Sequence, residues 1–282
     1  MKYIRRPKFF DFKVAVEIGG QKNLSSFPLF RDNIGSVFAS YRQYIRARGG
    51  IPVSHPLLPE GLNTAMRAHY TGEINSLKFI EYIRKKISPG VCPVCGAQSP
   101  ATIDHVLPKE AWPVYSFLSR NLVPACDQCN RKKGVKFFQA NSGGRPIHPY
   151  YDKFLLNRIA VAKIDPPFAY PVISIVAHQG PSIAEMEVIE WHLEEVVRKT
   201  SICDSLCERW INICRDPRAY YETLQFPGVT VEMAVLSKLK SQDSAHGTPN
   251  NWESMLQFAI ANNPDALLYL EGCLADPREN LA

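Results

Sequence analysis

The chain has 282 residues, of which 45% are hydrophobic and 21% charged, with a net charge of +6. That length and apolar content exclude a disordered polyelectrolyte and allow one large or two modest domains with buried cores. No run of about 18 apolar residues is present, and the start "MKYIRRPKFFDFK" lacks the apolar core and small-residue cleavage site of a secretory signal, so the expectation is a cytoplasmic protein without a membrane span.

The net charge conceals a division. Residues 1–145 carry 22 Lys/Arg against 9 Asp/Glu, whereas residues 146–282 carry 11 against 18. A basic half suits a polyanion, because each neutralised phosphate releases counterions, and an acidic half does not.

In chain order, the segment from Asp32 to Arg48 reads as a helix entered through Asp32 or Asn33 and stopped by Gly49-Gly50. The proline-rich piece "IPVSHPLLPEG" breaks the pattern. A second helical region runs from about Leu62 to Ile87, with Ile74, Leu77, Ile80, Ile83 and Ile87 on one face. Residues 91 to about 145 are turn-rich and loaded with Cys, Asn and Lys, a stretch too small to rely on its own apolar core and so expected to need a metal. "AYPVISIVAH" could be a strand. From Ala184 to Cys214 the positions Met186, Ile189, Leu193, Val196, Thr200, Cys203, Cys207, Trp210 and Cys214 follow steps of three and four, which predicts one long helix with a heptad-like buried seam. Val231 to Leu239 and Trp252 to Ala261 read as shorter helices.

Eight cysteines are present. Cys203, Cys207, Cys214 and Cys273 sit in helical patterns and behave as small hydrophobes. Cys92, Cys95, Cys126 and Cys129 form two C-x-x-C knuckles, which in a reducing compartment are metal ligands before they are disulfides. Four thiolates match the tetrahedral demand of structural zinc. "VCPVCG" echoes the first knuckle of rubredoxins, but "ACDQCN" lacks the glycine that follows in that family, and no interleaved second ligand set suggests a RING module.

Between and after the knuckles lie Asp104-His105, Pro108-Lys109 and "NLVPACDQCNRKKG" with Asn121, Asn130 and Lys133. This stretch resembles the HNH endonucleases, whose cysteine-stabilised form reads C-x-x-C, D-H-x-x-P, N-L-x-x-x-C-x-x-C-[HN]-x-x-K. The resemblance covers about 45 residues. It implies a ββα-metal unit in which His105 is the general base, Asn121 fixes the base loop and orients the histidine, and Asp104 and Asn130 hold a divalent cation. The chemistry is consistent with this, since an imidazole titrates near neutral pH and carboxylate and amide oxygens suit Mg²⁺ or Mn²⁺. His148, in "RPIHPYYD", follows the expected helix closely enough to be a further ligand. Lys109, Arg131, Lys132, Lys133 and Lys136 are placed to clamp a nucleic-acid backbone. Trp112, Tyr115 and Phe117 suit core packing better than base stacking, and His55, His69, His178, His192 and His246 read as structural or surface residues.

The expectation is therefore an α+β protein, mainly helical around a small ββα-metal unit with a four-cysteine zinc site. Residues 1–90 are read as a basic helical region, 91–150 as the nuclease unit, and 151–282 as an acidic helical region suited to a partner or a second copy. Nuclease components of bacterial defence systems, including Septu-type pairs with an ATPase, look similar in organisation, which implies cleavage of DNA. The competing expectation is a zinc-ribbon module that binds nucleic acid or protein without cutting.

Overall fold

The structure is a computed structural model that describes residues 1–50, 58–72, 74–88, 90–97, 100–138, 143–178 and 182–275. The fold class is α+β, with many helices and two small antiparallel sheets among the described residues. The chain divides into two compact units.

The first unit comprises Tyr3–Pro93 and Gln98–Lys153. It contains α1 (Asp11–Gly20), α2 (Leu29–Asp32), α3 (Ile34–Arg46), α4 (Glu60–Thr71), α5 (Phe79–Lys86), β1 (Thr102–His105), β2 (Leu122–Ala125) and α6 (Asp127–Lys133). Helix α3 falls inside the expected span. Asn33 stands at its N-cap position, yet its side chain donates to the Leu29 carbonyl instead of capping α3. The left-handed Gly49 (φ +73°) turns the chain away at its other end, a conformation that costs glycine little. The expected helix from Leu62 to Ile87 is two helices. Gly72 is extended at the end of α4, and a 3₁₀ turn at Asn75–Leu77 precedes α5. Leu77, Ile80 and Ile83 are buried, so the apolar stripe is correct and only its continuity fails.

Residues 91–145 were expected to lack a core of their own, and they share one. Ile103, Leu107, Trp112, Tyr115, Phe117, Leu118 and Leu122 pack in one buried cluster with Phe30, Val37, Tyr41, Tyr44, Leu62 and Met66 from the N-terminal helices. Each such side chain contributes on the order of 1.5–3 kcal/mol. Burial and metal binding can therefore both support this segment. The three aromatics of the connecting loop lie inside it as expected.

The second unit comprises Met1–Lys2, Val94–Ala97 and Phe154–Ala282. A hairpin of β3 (Ala160–Asp165) and β4 (Val172–Ala177) is followed by α7 (Ile183–His192), α8 (Ile202–Arg215), α9 (Pro217–Tyr220), α10 (Val231–His246), α11 (Trp252–Ala261) and α12 (Pro264–Ala275). The long seam helix does not form. A π-helical turn at Leu193–Val197 separates α7 from α8, and the wider turn shifts the angular register of everything after it. The buried face of α8 is then Ile202, Leu206, Trp210, Ile213 and Cys214, with Cys203 and Cys207 only half-buried beside it.

Candidate active site

Strands β1 and β2 pair antiparallel, with Asp104 opposite Val123 and His105 opposite Leu122. No bulge separates Asp104 from His105, yet both border one cleft of about 660 Å³, together with Tyr70, Arg84, Lys109, Glu110 and Asn130. The end of β1 thus supplies a carboxylate and an imidazole, and α6 supplies an amide.

His105 is 7% exposed, and its Nε2 lies 2.9 Å from the Ser116 carbonyl. A carbonyl can only accept, so Nε2 carries the proton and Nδ1 keeps the lone pair. Burial pushes the imidazole down to about 4, against a smaller upward pull from the Ser116 bond, so the ring is neutral at neutral pH. The Tyr70 ring packs edge-on against it at 4.4 Å.

Asn121 is fully buried in the turn before β2, and its side-chain hydrogen bonds go to groups other than the His105 ring. Its Oδ1 accepts from the Leu107 N–H at 2.8 Å, and its Nδ2 donates to the carbonyls of Leu107 at 3.0 Å and Tyr115 at 3.2 Å. One amide therefore staples both ends of the loop that begins two residues after His105 and ends one residue before Ser116. The orientation of His105 reaches Asn121 through the backbone. Helix α1 supports the same turn, where the Asp11 carboxylate accepts from Ser119 N and Ser119 Oγ, both at 2.9 Å.

His148 is placed away from the cleft. It is 1% exposed, its Nδ1 accepts from the Tyr150 N–H at 3.3 Å, and its Nε2 lies 3.0 Å from the Tyr44 hydroxyl. That hydroxyl in turn donates to Asn121 Oδ1 at 3.1 Å. Both ring nitrogens are engaged inside the core, and burial pushes the ring down to about 3. The expected ligand is instead the far support of Asn121.

Asn130 directs its Nδ2 to Ile103 O at 3.1 Å and Thr102 Oγ1 at 3.3 Å, which leaves Oδ1 as its acceptor end. Asp104 Oδ1 accepts from Lys133 Nζ at 3.0 Å, and the same ammonium donates to His105 O at 2.6 Å. Lys133 is 2% exposed. The expected phosphate clamp at this residue is corrected, because its ammonium is committed to the protein interior. Arg131 and Lys132 are exposed, Lys136 is half-buried and Lys109 borders the cleft. Arg131 also pairs with Asp127 at 2.7 Å.

The donor set fits a divalent cation, since one carboxylate and one amide oxygen offer hard ligands beside open space for water or substrate. The four knuckle cysteines fit zinc. Their Sγ atoms all lie within 4.8 Å of one another, and several accept N–H bonds, from Cys126 to Cys92 at 3.2 Å and from Ala97 to Cys95 at 3.4 Å. Cys126 Sγ also accepts from Cys129 N at 3.5 Å at the start of α6, so one sulfur serves both a knuckle and a helix N-terminus.

Residues 92–136 match the HNH endonuclease family. The match supports a nuclease hydrolase that acts on nucleic acid. Protein ea31 of Escherichia phage lambda is 38% identical over 68 residues, which cover 24% of this chain and 23% of that protein. The chain thus spans under a quarter of the curated relative's length. No solved structure matches the chain. No helix among the described residues is long and apolar enough to cross a membrane.

The HNH match and the residue types within it leave several groups that the structure brings to the site unannounced. Tyr44 and Arg84 lie upstream of it on α3 and α5. Ser116 acts through its main-chain carbonyl, which no residue type announces. The remaining histidines serve elsewhere: His69 bonds Ser26 at 2.8 Å, His192 bonds the Val94 carbonyl at 2.7 Å, and the His178 ring packs on Phe258. His55 lies outside the described residues.

Proposed function

We propose that this protein is a metal-dependent HNH endonuclease that hydrolyses phosphodiester bonds, with DNA as its substrate. The observation that carries the reading is His105, a neutral imidazole fixed by Ser116 O with its Nδ1 lone pair available, beside Asp104 and Asn130 in one cleft. Nδ1 takes a proton from the attacking water. Asp104 and Asn130 Oδ1 hold the cation, Mg²⁺ or Mn²⁺, which when bound stabilises charge on the phosphoryl and leaving oxygens. Asn121 keeps the His105 loop rigid, so the base does not have to reorganise during the reaction. Lys109, Arg131, Lys132 and Lys136 hold the flanking backbone, and zinc on Cys92, Cys95, Cys126 and Cys129 fixes the knuckles.

The acidic C-terminal unit has a different task, contact with a regulatory partner such as an ATPase or with a second copy, in a bacterial defence role in the cytoplasm. The charge division between the two halves supports only the separation of their tasks.

The test is nicking of supercoiled plasmid with Mg²⁺ or Mn²⁺ by wild type and His105→Ala, alongside zinc quantification of the purified protein. Metal-dependent nicking that disappears in His105→Ala, with about one zinc per chain, is the expected result. An equal rate in His105→Ala rejects the base assignment. Tight DNA binding without cleavage under any metal supports the non-catalytic zinc-ribbon reading instead.

A further inference from the structure

Lys133 is the least expected charge in the site. Lysine is almost never fully buried without a partner, and a buried ion pair is tolerated only when its remaining hydrogen bonds are satisfied. Here the ammonium bonds Asp104 Oδ1 at 3.0 Å and His105 O at 2.6 Å. Asn130 and Lys133 lie three residues apart on α6, on one side of the helix. A single turn therefore brings a counter-ion to the Asp104 carboxylate and an amide to the cleft that this carboxylate borders. Asp104 borders the cleft and Lys133 does not, so the ammonium approaches the carboxylate from the protein side and an ion entering from the cleft does not have to displace it.

The charge balance of the cleft follows. Its bordering carboxylates are Asp104 and Glu110, and its bordering cations are Arg84 and Lys109. Glu110 pairs with Lys109, and Asp104 is offset by Lys133. Asn130 adds no charge. The described cleft therefore presents no carboxylate whose charge is left uncompensated, although ligand charge is what chiefly sets the affinity of an oxygen site for a hard divalent cation.

We infer that Lys133 makes cation binding depend on the nucleic acid: the free protein holds the divalent cation weakly, and a backbone phosphate in the cleft supplies the missing negative charge. This rests on the reading of Asp104 and Asn130 as cation ligands. Linkage makes the effect reciprocal, so the cation tightens nucleic-acid binding by the same factor that the nucleic acid tightens cation binding. Lys133 is a positioning and charge-setting residue whose ammonium is bonded to Asp104 and the His105 carbonyl.

The experiment uses the full chain carrying His105→Ala to prevent turnover. Anisotropy of a fluorescent DNA duplex, at constant ionic strength, is measured with and without Mn²⁺, and Mn²⁺ affinity of the DNA-free protein is measured by calorimetry. Mn²⁺ should tighten DNA binding by about tenfold, within the usual range of such couplings. Adding Lys133→Met should tighten Mn²⁺ binding to the DNA-free protein by about tenfold and shrink the coupling towards unity. Saturation of DNA-free Lys133 protein at micromolar Mn²⁺, or no coupling in it, overturns the inference without any need for the methionine variant to fold. If Asp104→Asn leaves Mn²⁺ binding and coupling untouched, the cation site lies elsewhere and the nuclease reading fails with it.

Discussion

Lowering the pH should expose the role of His148. The unfolded chain protonates a histidine near 6.5, whereas burial holds the folded His148 down to about 3. Between those values the unfolded state binds the proton and the folded state does not, so stability falls as pH falls, beginning near 6.5 and ending near 3. At pH 4 the unfolded side is favoured by about 10²·⁵ in proton binding while the folded ring remains mostly neutral, a loss of about 3 kcal/mol relative to pH 7. His105 adds a loss of the same sign, and zinc release adds another, so the contribution must be isolated by difference. Urea unfolding of wild type and His148→Gln at pH 7, 6, 5 and 4 does this, because glutamine keeps a donor for Tyr44 but does not titrate. The wild-type loss should exceed the variant's by about 3 kcal/mol. Parallel pH dependences would refute the buried, neutral His148. A fall of tenfold or more in Mn²⁺ affinity in the glutamine variant would restore it as a ligand.

Two further outcomes follow from the site. Asn121→Ala removes four side-chain hydrogen bonds, the one from Tyr44 included, at a fully buried position and should cost about 2–4 kcal/mol in chemical denaturation, with kcat lowered and zinc content unchanged; an unaltered kcat would separate the loop staple from catalysis. Alanine at Lys109, Arg131, Lys132 or Lys136 should weaken DNA binding across sequences and flatten its salt dependence by about one unit of slope for each phosphate left without its cation. An undiminished slope in the combined variant would move the backbone path elsewhere.

The site was legible where chemistry needs a particular side chain at a particular spacing. Asp104, His105 and Asn130 border one cleft, and the four knuckle cysteines cluster with one another, because a short β-ladder and a single helix turn leave little freedom in placing them. Lys133 was misread because a lysine beside other basic residues looks the same whether it faces solvent or a carboxylate, and only the i, i+3 step from Asn130 hinted at the second. His148 was misread for a similar reason, since nothing local announces a tyrosine hydroxyl from α3. In the fold, apolar periodicity found the buried positions Leu77, Ile80 and Ile83 leading through α5 and Ile189, Leu193 and Val196 before the π-turn, but not the break before α5 or the shifted face of α8, where Ile202 and Leu206 are buried in place of Cys203 and Cys207. A π-turn keeps every residue apolar where it should be and changes only the angle between them.

The staple at Asn121 also bears on how such a chain can diversify. The loop between Leu107 and Tyr115 is fastened at both roots, and its tip at Lys109–Ala111 is at least partly open to solvent. Changes of length or composition at that tip would alter the rim met by an incoming strand while the two roots keep the imidazole still. On the proposed nuclease reading, the rim and the support of the imidazole are thereby carried by separate parts of one short loop, and the first can vary without loosening the second.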